Sequence, residues 1–116
     1  MTNHIIELKR DRAGKLSAES CIPLGTERRE LRIITSKDYR QGVSTDVRVF
    51  QQTEDGFGWT HAFGLAGGGD FSKKVGHDHQ ARATEKKLRD MHTDALRDLD
   101  TLLAEAREHY LAGKHV

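Results

Sequence analysis

The side chains best equipped for chemistry gather between His61 and His79. His61, Asp70, His77 and His79 offer the nitrogen and oxygen donors that a tetrahedral zinc site uses, and a hairpin would bring their segments together. Two features weigh against a metal. His77 and His79 bracket the expected start of a helix, where Asp78 serves as an N-cap, and no helix-borne H-E-x-x-H pair accompanies them. These four residues stand as weak candidates for a small metal-binding protein, and no metal or cofactor is assigned.

The same stretch, "GLAGGGDFSKKVGHDH", holds Gly67-Gly68-Gly69 ahead of Lys73-Lys74. A phosphate loop needs G-x-x-x-x-G-K-[ST] opening a helix. Here Asp70 follows the glycines and the helix begins too late, so they read as a turn. Ser20-Cys21 has no base in reach along the sequence, and G-x-S-x-G is absent. Glu54-Asp55 is a carboxylate pair inside a hairpin turn. Nothing assembles into an enzyme, and no catalytic residue is assigned.

Basic clusters are better founded. Lys73, Lys74, Arg82, Lys86, Lys87 and Arg89 crowd the region where strand gives way to helix, and Arg28, Arg29 and Arg32 form a second group. Either could hold phosphates or an acidic protein surface. The chain of 116 residues carries a net charge of only +1, against the strong basicity usual for nucleic-acid binding. Nucleic acid is therefore an alternative partner, not the favoured one. The single cysteine, Cys21, rules out an internal disulfide. With no apolar leader or membrane-length run, a soluble cytoplasmic setting and no membrane contact are expected.

The elements that position these residues follow from hydrophobic period. "NHIIELKRDRAGKLSAESCIPL" reads as two extended segments around a turn at Arg12-Ala13-Gly14, and "ELRIITS" as a third. In "GVSTDVRVFQQ", Val43, Thr45, Val47 and Val49 share one face of a strand. Thr53-Glu54-Asp55-Gly56 is a hairpin turn, and "FGWTHAFG" returns with Phe57, Trp59, His61 and Phe63 opposite a nearly bare face. "GDFSKKV" suits an edge strand, guarded by its lysines. The expected fold is a single α+β domain over 1–116: an antiparallel meander of five or six short strands, mainly β to residue 75, then one long helix over 78–112.

That helix carries an apolar stripe through Leu88, His92, Ala95, Leu99, Leu102, Leu103, Ala106 and Tyr110. At ~1.5 Å per residue it would span about 50 Å, overhanging strands of about 23 Å. Its N-terminal charges sum to +3 and its C-terminal charges to −4, the reverse of what the helix dipole prefers. Two antiparallel copies would pair basic half with acidic half, so the stripe is expected to form a homodimer interface. The expected function is a small non-catalytic module, an inhibitor or adaptor of an unidentified protein, contacting it through the charged helix and the "SKDYRQG" loop. In size, charged exterior and lack of a catalytic constellation, the chain resembles small accessory proteins of phages and mobile elements.

Overall fold

Alternation of β-branched and polar residues, punctuated by turns, sets the sheet. The computed structural model describes residues 6–24, 29–53, 55–61 and 71–111. Its strands are β1 (Glu7–Arg10), β2 (Leu16–Pro23), β3 (Arg29–Lys37), β4 (Val43–Gln52), β5 (Trp59–His61) and β6 (Ser72–Asp78). Every pairing is antiparallel: β1, β2, β3 and β4 lie in chain order, and β5 and β6 share the far edge of β4 end to end. Two helices follow, α1 (Glu85–Leu96) and α2 (Leu99–Leu111). The architecture is therefore α+β, an antiparallel sheet of six strands plus a helical layer. Among the described residues, no helix is long and apolar enough to cross a membrane.

The register explains what each face buries. Ala18, Ser20 and Ile22 of β2, Leu31, Ile33 and Thr35 of β3, and Val43, Thr45, Val47 and Val49 of β4 all face the helices and are buried. The expected face of β4 is thus the core face. Leu88 of α1 closes one apolar cluster around Ala18 and Val43, against the partly buried Ile6, Leu8 and Leu16. Ala95 with Leu99, Leu102 and Ala106 closes a second around Ile22, Leu31, Ile33, Val47 and Val49. Each such leucine or isoleucine contributes about 1.5–3 kcal/mol on burial.

The expected single helix is two. At the break, Arg97 N–H bonds to the Asp94 carbonyl and Asp98 N–H to that of Ala95, a three-residue spacing that tightens the chain. Asp98, a good cap residue, then accepts from Leu102 N–H through its carbonyl and opens α2. The first helix also begins later than expected. Asp78 ends β6, and Thr84 is the N-cap, its hydroxyl accepting from Lys87 N–H. The expected overhang disappears for a geometric reason. A ten-residue β4 spans about 33 Å, while helices of 12 and 13 residues span about 18–20 Å each.

At the turn between β3 and β4, Gly42 has φ +80 and a Cβ there would run into the Asp78 carbonyl oxygen. Only glycine lets the turn close against the end of β6. The return strand is described only over Trp59–His61, and the expected glycine turn at 67–69 lies outside the described residues, as does Phe63.

Candidate functional site

Among the described residues, the one constellation of catalytic type is internal. Ser20 Oγ lies 2.8 Å from His92 Nε2, and His92 Nδ1 lies 2.9 Å from Thr35 Oγ1. Thr35 Oγ1 meets Thr45 Oγ1 at 2.7 Å. Ser20 comes from β2, the threonines from β3 and β4, and His92 from the middle of α1, between Leu88 and Ala95. Burial pushes His92 down to about 4, so it is a neutral ring at neutral pH, with one nitrogen donating and the other accepting. That fits a hydroxyl at each end. A nucleophilic serine would need an oriented base and room for a substrate. Here all four residues are buried, and the described clefts are not lined by Ser20 or His92. The chain of hydroxyls and imidazole satisfies polar groups in the seam between the two apolar clusters.

The proposed metal ligands are spread along the sheet. His61 is paired opposite Phe50 and His77 opposite Ser44, positions about 20 Å apart along β4. Asp70 lies outside the described residues. His77 and His79 do meet, with ring centroids 3.9 Å apart. His77 Nε2 donates to the Gln41 carbonyl at 2.9 Å, which binds the β3–β4 turn to β6. Among the described residues, no three histidine, cysteine or acidic side chains are grouped to hold a metal.

The first basic cluster is divided and mostly neutralised. Lys73 and Lys74 leave opposite faces of β6, across from Val47 and Asp46 respectively. Lys73 pairs with Glu105 at 2.9 Å, Lys74 with Asp38 at 2.6 Å and Lys87 with Asp78 at 2.8 Å. Lys86 pairs with Asp90 and Arg89 with Glu85 along the helix. Arg82 stands exposed before α1. The apolar stripe is likewise occupied. Leu88, His92, Ala95, Leu99, Leu102 and Ala106 are buried against this chain's own sheet, and Leu103 is partly buried there. The Tyr110 side chain lies outside the described residues.

The face of the sheet away from the helices is different. Arg32 on β3 lies 4.0 Å over the Phe50 ring of β4 and 5.5 Å from the Trp59 ring of β5. Glu30 holds the same guanidinium at 2.8 Å, which restrains it over the rings. Phe57, at the tip of the β4–β5 hairpin, is 94% exposed, and Trp59 is 41% exposed. Asp55 shapes that tip by accepting from Thr53 Oγ1 and Phe57 N–H, which together hold its carboxyl below the usual range. At the opposite end of the sheet, Tyr39 in the "SKDYRQG" loop is 83% exposed. That loop is tied down by Asp38. The Lys74 ammonium, then the Arg40 N–H, hold its carboxyl well below the usual carboxylate range.

Cys21 sits on this open side opposite Arg32, and burial pushes its thiol up, away from the reactive thiolate. The sequence reading missed both His92 as the partner of Ser20 and the stack of Arg32 with Phe50 and Trp59. Strand parity does carry the second: Arg32, Phe50 and Trp59 fall on one face once β3, β4 and β5 are paired in register. Compared with known protein families, curated proteins and solved structures, the chain matches none.

Proposed function

We propose that this protein is a small non-catalytic interaction module, an inhibitor or adaptor that binds a partner protein through the open face of its sheet at the β4–β5 hairpin. One observation carries the proposal: an arginine packed over two aromatic rings, beside a nearly fully exposed phenylalanine. Tryptophan and arginine are enriched among the residues that dominate the energetics of protein interfaces. The stack is preorganised by Glu30 and by the sheet, so little ordering remains to be done on binding. The fixed loop bearing Tyr39 provides a secondary contact at the other end. A homodimer through the helices would pair the charged outer sides of α1 and α2, and a salt-dependent mass by light scattering tests for it.

The test is affinity capture with immobilised protein, comparing wild type with Phe57→Ala/Trp59→Ala and with Arg82→Ala/Lys86→Ala. Loss of the captured protein in the first variant alone, with little dependence on salt, is expected. Equal capture by all three would contradict the proposal. The same stack favours a second reading, a platform for single-stranded nucleic acid, since bases stack on aromatic rings and arginine planes. Trp59 is the only tryptophan, so its fluorescence reports directly on this face. Quenching by an oligothymidylate that collapses between about 50 and 200 mM salt would select the nucleic-acid reading.

A further inference from the structure

A cleft of about 540 Å³ separates the β1–β2 hairpin from the start of α1, and its walls include Arg10, Lys15, Leu16, Lys37, Thr84 and Glu85. Its volume lies in the range of small-molecule sites. The cations come from three places: Arg10 at the end of β1, Lys15 just before β2 and Lys37 at the end of β3. Unlike Lys73, Lys74, Lys86, Lys87 and Arg89, Lys15 and Lys37 form no ion pair among the described residues. Arg10 spends one Nη1 donor on the Gly14 carbonyl at 2.9 Å, which anchors the guanidinium at the rim and leaves the rest of its donors free to turn inward. The lining carboxylate, Glu85, is drawn to Arg89 Nε at 3.2 Å. Three positive charges therefore face one carboxylate that is already paired.

We infer that this cleft binds the phosphoryl group of a small organic phosphate. A phosphate dianion presents several strong acceptor oxygens, which suit a guanidinium fork and two flexible ammonium groups. A carboxylate offers fewer acceptors and less charge. The side chains of Leu16 and Ala83 supply an apolar wall for the organic part. The first turn of α1 adds its outward N–H groups to a site that the three cations already define. This cleft is built from other residues than the open-face stack, so the two sites fail or stand separately.

The test is an amide-resolved NMR titration of the full chain with pyrophosphate, ADP, adenosine and sulfate at constant ionic strength. Saturable shifts confined to residues around Lys15, Lys37 and Thr84 are expected with pyrophosphate and ADP, with affinity at least tenfold above that for sulfate. Adenosine should leave these amides unmoved. Lys15→Ala/Lys37→Ala should weaken ADP at least tenfold. Lys73→Ala/Lys86→Ala, which removes the same charge elsewhere, should leave it unchanged. All four lysines are exposed, so both variants keep their core, and an unchanged spectrum verifies it. Equal losses in the two variants, adenosine binding as well as ADP, or shifts spread evenly over surface lysines would each overturn the inference.

Discussion

The two faces of the sheet solve opposite problems with different side chains, hydroxyls and an imidazole within and a guanidinium over aromatic rings without. On the helix side, Ser20, His92, Thr35 and Thr45 are linked in sequence and buried beneath α1. On the open side, Arg32 packs over Phe50 and Trp59, and Trp59 and Phe57 at the hairpin remain exposed. The inner set is complete without a ligand, because every hydroxyl and ring nitrogen has its partner within the fold. The outer set has its geometry fixed but keeps aromatic surface exposed. Polar groups whose bonds are all internal stabilise, and ordered groups with surface still open are available to bind.

The largest effect should come from breaking the inner set. His92→Ala removes a buried ring together with its bonds to the Ser20 and Thr35 hydroxyls, costing about 3–4 kcal/mol in urea-induced unfolding. Arg32→Ala on the open face should cost about 1 kcal/mol or less. Comparable losses at the two positions would erase the distinction. A contrast between two turns comes next. Gly42→Ala places a Cβ against the Asp78 carbonyl, whereas at Gly14, φ +84, the same Cβ meets nothing within 4 Å. The first should cost about 3 kcal/mol and the second about 1 kcal/mol, the latter from the left-handed backbone alone.

Acid should act through the inner face first. His92 falls from the ordinary 6.5 to about 4 in the folded protein. Between those values the unfolded chain binds more protons, so folding stability is full above about pH 6.5 and declines as pH falls towards 4. The slope reaches at most about 1.4 kcal/mol per pH unit. His92→Leu should abolish that slope. Asp38, held low by Lys74, adds its own loss only when pH drops below the usual carboxylate range. The smallest effect on stability belongs to Phe57→Ala, within about 0.5 kcal/mol of wild type, although it should weaken partner binding most when combined with Trp59→Ala.

Much of the fold is legible in the residues themselves. The alternation of Val43, Thr45, Val47 and Val49 marks the core face of β4, and Gly14 and Gly56 mark turns that do adopt positive φ. Helical period identifies Leu88, Ala95, Leu99, Leu102 and Ala106 as one stripe, because a tightened turn at Arg97–Asp98 keeps the stripe in phase across the break. The same tolerance hides the break, since no glycine or proline marks it. Asp78 reads as a cap because local sequence cannot tell that its neighbours are still paired with β4, whereas Thr84 wins once β6 is counted. The Ser20–His92 bond spans 72 positions and depends on how the helix docks, so no local pattern reveals it. The Arg32 stack needs only strand register, which parity almost supplies.

The central claim is that α1 buries the Ser20–His92–Thr35 seam of the inner face, leaving the open face for a partner protein. Following the ring resonances of His92 by NMR from pH 8 down to pH 4 tests it most directly. A ring that stays neutral, in one fixed tautomer, until about pH 4 is the result expected of a sealed, fully bonded imidazole. A ring that titrates near the ordinary 6.5 while the protein remains folded would mean that water reaches the seam, and the inner face would again be open to a ligand or a reaction.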